Sequence, residues 1–270
     1  MLCLSGSPRK GFYQTAMEVV YGIHAVETLL RSRSRPVERL HVAQGSRSTR
    51  LQQILRLARE QSIALRFDKN FALDRLAQSK AHQGIVAVCG VKTYATFEEV
   101  LAARKDPAFF VVLDQVEDPH NLGAVVRTAA CAGVDGILIT ERRAVGLTPA
   151  VAKAASGALE MVPVVRVGNL VHTLEELKKA NIWIIGVEAD AKMEWTEVDL
   201  TLPVALVFGS EGEGIRRLVR EHCDWTVSLP LENQAVIASL NVSVAAGILM
   251  YEAVRQRRGK KGQESPASKP

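Results

Sequence analysis

The sequence predicts an α/β protein whose larger part is built around a mostly parallel sheet. Apolar runs of strand length recur along the chain, and helical patterns fall between most of them. Strands of a parallel sheet are buried on both faces, so they appear as nearly continuous apolar runs. Six such runs are predicted to be its strands: 109–113, 136–140, 162–166, 183–187, 204–208 and 225–229.

Residues 1–92 show the same alternation on a smaller scale. The predicted elements there are helices at 23–31, 49–60 and 71–77 and strands at 39–43, 64–67 and 85–89. We therefore expect five successive regions. They are a flexible leader (1–16), an N-terminal α/β domain (17–92), a linker with a short helical pattern (93–106), the larger domain (107–256) and a basic flexible tail (257–270).

Charge is distributed unevenly along the 270 residues, although the net charge is only +5. Residues 1–92 contain 15 Lys and Arg against 6 Asp and Glu, whereas residues 93–254 contain 13 against 22. A basic module joined to an acidic one suggests that the first binds a polyanion, and the arginine fork suits phosphate. A basic surface that only aids solubility is the alternative. The arginines that dominate the first module are Arg31, Arg33, Arg35, Arg39, Arg47, Arg50, Arg56 and Arg59.

Composition excludes several classes of protein. The chain is 47% hydrophobic and 23% charged, which is typical of a globular protein. No apolar run approaches the length of a membrane span, and residues 1–11 lack the apolar stretch of a signal peptide. The four cysteines form no Cys-x-x-Cys pair, and the six histidines form no metal-spaced pair. We therefore expect a cytoplasmic protein without a membrane segment, disulfide framework or metal site.

The first of three chemically informative segments follows the predicted strand 109–113. It begins Asp118-Pro119-His120-Asn121, and a helix that continues through Arg127 is predicted to begin near Asn121. Open α/β sheets bind ligands at such strand ends. Asn121 and Arg127 are nearly two helical turns apart, so joint action requires Asn121 to lie in the loop before the helix. Taken alone, Arg127 is better explained as a solvated surface charge.

The second segment is a glycine-rich turn after the predicted strand 204–208. It reads Gly209-Ser210-Glu211-Gly212-Glu213-Gly214, and glycines permit positive φ and close approach of a ligand to the backbone. It matches neither the phosphate-binding loop nor the dinucleotide fingerprint, which argues against a nicotinamide-dependent enzyme. An ordinary tight turn with solvated glutamates is the alternative.

The third segment opens the last helical pattern, which is predicted for 238–255. Ser239-Leu240-Asn241-Val242-Ser243 places polar side chains in the first turns of a helix otherwise rich in small apolar residues. Backbone N–H groups at a helix start lack helical partners, and Ser or Asn side chains there cap the helix or face a ligand. A cap and a binding site explain this segment alone equally well.

Together, and in this order, the three segments resemble the motifs of the SpoU-type (TrmH-like) branch of the SPOUT superfamily of RNA methyltransferases. The resemblance covers 118–129, 208–212, and Leu229-Pro230-Leu231 with 239–243. Residues 153–160 are similar to a further segment of the family. Three motifs in the expected order make a specific signal, although each alone is weak.

The N-terminal region resembles the small RNA-binding domain, similar in fold to ribosomal protein L30e, that many SpoU-type enzymes possess. Residues 22–26 and 82–87 support that resemblance, which is less specific than the one above. With this domain and this length, the chain looks most like the subgroup that methylates a guanosine of 23S rRNA.

The resemblance implies a fold and a reaction. The fold is a mostly parallel sheet with a C-terminal trefoil knot, and the enzymes act as homodimers with the cofactor bound in the knot. The reaction moves a methyl group from S-adenosylmethionine to the 2'-hydroxyl of an RNA ribose. The sulfonium of the donor is already activated, so the reaction requires no metal.

The resemblance also implies site residues. Arg127 is expected to lead catalysis at the target hydroxyl or a neighbouring phosphate; an electrostatic role is favoured because a guanidinium stays charged. Asn121 and Asn241 are expected to orient Arg127 or to bind ribose and cofactor, and Glu211 to pair with Arg127 or Asn121. The cofactor is expected to contact Gly209, Leu229, Leu231, Leu240 and Ser239.

One departure and two alternatives accompany this assignment. The stretch 232–238 is longer than the corresponding family loop and lacks its glycine, which leaves the conformation of that loop and the role of Leu231 open. A transfer-RNA ribose methyltransferase is the close alternative, because phosphate contacts carry no sequence information. A non-catalytic RNA-binding protein of the same fold is disfavoured by the intact Asn121, Arg127, Glu211 and Asn241.

Overall fold

The computed structural model describes residues 17–45, 48–232 and 239–264. The chain divides into two compact units: residues 1–26 with 35–92, and residues 27–34 with 93–270. The predicted leader, residues 1–16, lies outside the described residues, as does the end of the predicted tail. No helix among the described residues is both long enough and apolar enough to cross a membrane.

The first unit contains a four-stranded sheet in the order β1-β4-β2-β3. Its strands are β1 (Met17–Tyr21), β2 (Val37–Ala43), β3 (Ala64–Asp68) and β4 (Ile85–Gly90). Strands β2 and β3 are parallel, and β4 runs antiparallel to both β1 and β2. Strand β1 was not predicted. It is a half-exposed edge strand whose only sheet partner in the described part is β4, so its stability comes from pairing rather than from an apolar run.

Three helices lie in the N-terminal part of the chain, close to their predicted positions. They are α1 (Ile23–Ser32), α2 (Thr49–Glu60) and α3 (Asn70–Ala77). Helix α2 buries Leu51, Ile54, Leu55 and Ala58, which recur with helical spacing. The alternation of helix and strand predicted for this region is therefore present.

The second unit contains a seven-stranded sheet in the order β7-β6-β5-β10-β8-β11-β9, and every pairing in it is parallel. Six strands lie at or within two residues of their predicted bounds, whereas the two-residue β9 was not predicted. The strands are β5 (Phe109–Leu113), β6 (Gly136–Thr140), β7 (Val164–Val167), β8 (Trp183–Val187), β9 (Met193–Glu194), β10 (Val204–Phe208) and β11 (Trp225–Ser228).

Helices cover both faces of this sheet. They are α4 (Phe97–Ala102), α5 (Pro119–Ala132), α6 (Pro149–Ala155), α7 (Leu170–Lys179), α8 (Arg217–Glu221) and α9 (Val242–Glu264). Phe109 and Val111 of β5 belong to one apolar cluster with residues of α5, α6 and α9, whereas Phe110 and Val112 belong to a second with residues of α4, α7 and α8. The predicted mostly parallel sheet covered on both faces is confirmed.

The predicted linker, 93–106, packs as part of the second unit rather than as a spacer. Ala95 forms a parallel bridge with Val165, and Thr96 and Glu99 form a reciprocal capping box at the start of α4. Val100 is almost fully buried in the second apolar cluster. Burial of this apolar side chain gives the segment a fixed position.

The expectation of a flexible tail from residue 257 is wrong for its first part, because α9 continues to Glu264. Arg257 gives the physical reason. Its guanidinium donates hydrogen bonds of 2.8 to 3.1 Å to the carbonyls of Pro107, Ala108, Leu200 and Leu202, and lies 4.7 Å from the ring centroid of Phe109. These contacts anchor the C-terminal half of α9 at the amino ends of β5 and β10.

Candidate active site

Helix α5 begins two residues earlier than expected, which places Asn121 on the helix. The Asp118 side chain caps it by accepting a hydrogen bond from the His120 N–H at 2.8 Å, and Pro119 occupies the first turn, where its missing N–H costs nothing. Asn121 is therefore in the first turn and only 6% exposed. The condition that it lie in the preceding loop is not met.

The glycine-rich segment after β10 folds back on itself. Ser210 and Gly214 exchange two backbone hydrogen bonds of 3.1 and 3.0 Å. A Cβ on Gly209 would lie 1.9 Å from the carbonyl carbon of Gly214, so no larger residue fits there. Gly209 is therefore required by the crossing of the loop on itself, independently of the predicted cofactor contact.

Asn241 stands immediately before α9 and caps it. Its Oδ1 accepts hydrogen bonds from the Ser243 N–H at 3.0 Å and from the Ser243 hydroxyl at 2.6 Å. These bonds fix the carboxamide, so that its Nδ2 points to other acceptors. Ser239, two residues earlier, is exposed.

The three segments meet in one hydrogen-bond network. Glu211 Oε1 accepts from Asn121 Nδ2 at 2.9 Å and from Asn241 Nδ2 at 2.7 Å, and Asn241 Nδ2 also lies 3.0 Å from Asn121 Oδ1. Both carboxamides then donate to the carboxylate, which is the arrangement its charge favours. The structure thus brings together three of the four predicted catalytic residues, and the pairing of Glu211 with Asn121 is present.

Arg127 does not join this network. It lies six residues beyond Asn121 on α5 and is exposed. Within the part of the chain that the structure describes, no hydrogen bond or ion pair connects it to Asn121, Glu211 or Asn241. The alternative pairing of Glu211 with Arg127 is therefore not observed.

A cleft of about 440 Å³ opens beside the network. Its charged lining residues are Glu117, Asp118, Arg143, Glu211 and Glu213, and Asn121 lines it as well. Most of the charged groups at its wall are acidic, so the cleft favours a ligand with positive charge close to the network. A smaller cleft, of about 300 Å³, is lined by Ala108 and Pro203, which directly precede β5 and β10. None of the predicted site residues lines it.

The predicted cofactor-binding leucines lie at the same edge of the sheet as the network. Leu229 and Leu231 follow β11, Leu240 precedes α9, and all three are half-buried. Leu229 and Leu240 also pack against the first apolar cluster. Apolar side chains left partly open at strand ends suit the flat face of an aromatic ring system.

Two carboxylates that support the glycine-rich loop were not predicted. Asp114, fully buried, accepts from the Arg216 N–H at 3.0 Å and from Arg216 Nε at 2.8 Å. Glu188 accepts from the Ile215 N–H at 2.7 Å, and its burial raises the pKa of its carboxyl above the ordinary value. Each directly follows a predicted strand, β5 or β8, and this position was the signal available in the sequence.

No group of three or more His, Cys, Asp or Glu side chains within residues 17–45, 48–232 and 239–264 has the arrangement of a metal site. The expected absence of a metal stays a prediction.

The described features define an α/β protein with a polar site at the carboxyl edge of a parallel sheet, where such folds bind their ligands.

Comparison with known proteins identifies the family. The pattern of the SpoU rRNA Methylase family matches residues 108–251, and that of the RNA 2'-O ribose methyltransferase substrate binding domain matches residues 19–95. The chain belongs to the SpoU rRNA methylase family.

Individual relatives agree with this assignment. The 23S rRNA (guanosine-2'-O-)-methyltransferase RlmB of Shewanella oneidensis is 43% identical over 243 residues, which cover 89% of this chain and 98% of the relative. A Bacillus subtilis protein whose name places it in the TrmH family of tRNA/rRNA methyltransferases is also 43% identical, over 89% of this chain and 96% of its own length. The crystal structure of the SpoU methyltransferase AviRb from Streptomyces viridochromogenes, in complex with AdoMet, has the same fold, with a TM-score of 0.75, 24% identity and coverage of 90% of this chain and 91% of that one.

Proposed function

We propose that this protein transfers a methyl group from S-adenosylmethionine to the 2'-hydroxyl of a guanosine in 23S rRNA. The sequence relationship supports this substrate, because the Shewanella relative that bears this activity in its name matches nearly the whole chain. The observation that carries the proposal is the network of Asn121, Glu211 and Asn241 beside the cleft, where three strand-end segments of one sheet meet.

The residues at this edge of the sheet fit S-adenosylmethionine. The cofactor has no phosphate, and the loop after β10 has no phosphate-binding pattern. The half-buried Leu229, Leu231 and Leu240 offer an apolar surface for the adenine, and the acidic cleft suits a sulfonium. When bound, the cofactor supplies an electrophilic methyl group.

Methyl transfer forms a bond between the 2'-oxygen and the methyl carbon, breaks the bond between that carbon and sulfur, and passes the hydroxyl proton to the Glu211 carboxylate or to water. Glu211 lines the cleft, and the two carboxamides bind only its Oε1. No hydrogen bond from another described residue engages its other oxygen, which can therefore accept one from the ribose hydroxyl. Asn121 and Asn241 hold the carboxylate in that orientation, and such pre-organisation lowers the barrier.

Arg127 acts by electrostatics in this proposal. A guanidinium does not lose its proton near neutral pH, so it cannot be the base. Its exposed position on α5 leaves it open to an RNA phosphate next to the target ribose. Neutralising that phosphate and stabilising the developing charge on the 2'-oxygen are the roles that its chemistry permits.

The proposal includes a trefoil knot and a homodimer. Helix α9 packs on α5, and Asn241, directly before α9, forms hydrogen bonds with Asn121 and Glu211 of the two earlier segments. These contacts support a C-terminal stretch that threads between those segments.

The evidence for the homodimer is on α9, where Val244 and Tyr251, seven residues apart, are 49% and 52% exposed. Two apolar side chains on one helix face support burial against a second copy, which sedimentation analysis will measure.

The N-terminal unit is proposed to be an L30e-like domain that holds the RNA. Its match to the substrate-binding pattern supports this role, as does the excess of Lys and Arg over Asp and Glu in residues 1–92. The protein is proposed to work in the cytoplasm, in keeping with its relationship to an rRNA methyltransferase of Shewanella oneidensis.

The test is methyl transfer from radiolabelled cofactor to 23S rRNA and to tRNA, both purified from cells that lack this protein. We expect label in 23S rRNA, on the 2'-oxygen of one guanosine. Label in tRNA alone would favour the alternative, a tRNA ribose methyltransferase. No label in either RNA, with RNA binding intact, would favour a non-catalytic RNA-binding protein.

A further inference from the structure

We propose that Glu188 is a positioning residue for methyl transfer. It accepts a hydrogen bond from the Ile215 N–H and so holds in place the glycine-rich loop after β10, which carries Glu211. The inference rests on the proposed function, because it concerns the same site. Glu188 does not belong to the three motif segments or to the cleft lining. It would act on the reaction only through the loop.

The contact is short and local. Glu188 Oε1 lies 2.7 Å from the Ile215 nitrogen. Ile215 directly follows the loop that begins at Gly209 and closes between Ser210 and Gly214. The other carboxylate oxygen is packed against the same backbone, since a Cβ on Gly214 would lie 3.0 Å from Glu188 Oε2. Gly214 also has a φ of +68°, so a residue with a side chain is disfavoured there on two grounds.

Strand order explains why this carboxylate can act on the loop. Strand β10, which leads into the loop, lies between β5 and β8. Asp114 at the end of β5 binds Arg216, and Glu188 at the end of β8 binds the preceding residue, Ile215. The loop is therefore held from both neighbouring strands, and loss of one support leaves it free to tilt.

The charged neighbours of Glu188 do not replace this contact. Arg220 and Asp190, whose charges act on the Glu188 carboxyl, form an ion pair with each other at 3.1 Å. Desolvation is the largest influence on Glu188 and raises the pKa of its carboxyl, while the Ile215 hydrogen bond acts in the opposite direction. The hydrogen bond to the loop is thus the contact that compensates for burial of the group.

The experiment compares Glu188→Ala and Glu188→Gln with the wild type, and uses Asp190→Asn as a matched control that removes a nearby charge. Glutamine keeps an acceptor oxygen, whereas alanine leaves the Ile215 N–H without one. The readouts are kcat, the KM for cofactor and for RNA, and the hydrogen exchange rate of the Ile215 amide. The exchange rate reports on the loop without any need for turnover.

We expect Glu188→Ala to lower kcat by roughly 10- to 100-fold, because a displacement of about 1 Å in a catalytic group has effects of that size. Exchange at Ile215 should accelerate at least about 10-fold, and RNA affinity should stay within about two-fold of the wild type. Glu188→Gln and Asp190→Asn should keep kcat within about three-fold.

Three results would overturn the inference. One is wild-type kcat in Glu188→Ala, and another is a Glu188→Gln variant as slow as the alanine variant. The third is slow turnover with unchanged exchange at Ile215, which would place the effect elsewhere. If the wild type methylates no RNA, the proposed function fails, but the exchange rate still decides whether Glu188 holds the loop.

Discussion

The carboxamide nitrogen of Asn241 lies 2.7 Å from Oε1 of Glu211, and so joins the start of the last helix to a loop 30 residues earlier in the chain. The same nitrogen lies 3.0 Å from Oδ1 of Asn121, which is 120 residues away. One amide group thus ties together the three segments that the sequence analysis singled out. The network forms only when the first turn of α5, the loop after β10 and the start of α9 are all in place.

Asn121→Ala should slow methyl transfer by about 10-fold or more, because Glu211 loses a donor that fixes its orientation. The variant should also lose about 1–3 kcal/mol of stability, since Asn121 is buried and its partners would be left without its hydrogen bonds. Turnover and denaturant unfolding measure the two effects. His120→Ala, at an exposed neighbouring position, is the control and should behave as wild type.

Arg127→Ala should reduce kcat by about 100-fold or more, because the charge that stabilises the 2'-oxygen or its phosphate is lost. Cofactor affinity, measured by calorimetry, should stay within about two-fold. The free energy of unfolding should change by less than about 0.5 kcal/mol, since the side chain is exposed and its head group has no partner in the described part of the chain. Collapse of cofactor binding would contradict the role proposed for this residue.

Gly209→Ala should prevent the loop after β10 from closing. The new methyl group would lie 1.9 Å from the Gly214 carbonyl carbon and 2.2 Å from the Ile215 nitrogen, so the backbone itself must move. We expect a loss of about 3 kcal/mol and no detectable methyl transfer. Gly259→Ala in α9, where the added group would meet no described atom within 4 Å outside the adjoining helix backbone, should be neutral or stabilise by about 0.5–1 kcal/mol. Thermal denaturation of the two variants makes the comparison.

Arg257→Lys should destabilise the second unit by about 1–3 kcal/mol, because an ammonium cannot reproduce the four carbonyl contacts of the planar guanidinium. Arg258→Lys is the matched control. Arg258 is the next residue along α9 and its side chain is exposed, so the same substitution there should change stability by less than about 0.5 kcal/mol. Equal effects of the two substitutions in chemical denaturation would show that the contacts of Arg257 add nothing to stability.

Affinity for RNA should fall as salt rises, because binding of phosphates by Lys and Arg releases counterions. Arg59→Ala and Lys69→Ala, at exposed positions of the first unit, should each reduce the slope of log K against log salt by about 1 if the residue contacts a phosphate. Arg217→Ala in the second unit, whose guanidinium pairs with Glu221, is the control. Filter binding over a range of salt concentrations provides the slopes, and a flat response would leave the basic N-terminal unit without the proposed role.

The parallel sheet could be predicted because its strands are buried on both faces, and burial leaves a continuous apolar run such as Phe109–Leu113 in the sequence. Convergence of the three motif segments could be predicted on two grounds. Polar residues come after such apolar runs, and the segments together resemble the motifs of one family. The start of α5 was predicted less accurately. The helix was expected to begin near Asn121, but Asp118 caps it and Pro119 is its first residue.

Contacts between distant residues limited the prediction elsewhere. Asp114 and Glu188 resemble solvated carboxylates in the sequence, and only the order of the strands shows that each holds the loop after β10. Arg257 belongs to a basic, glycine-containing stretch typical of a flexible tail. It is ordered because its partners come from residues 107–108 and 200–202, and no local pattern reveals such partners.

Because Asn241 directly precedes α9 and the anchoring Arg257 lies on it, the proposed active site is complete only after synthesis has passed α9. A nascent chain therefore contains the unit proposed to bind RNA well before Asn241 can complete the network. Under the proposed function, a fragment cleaved before Asn241 would bind the RNA substrate without methylating it. Such a fragment, expressed beside the intact enzyme, should act as a competitive inhibitor.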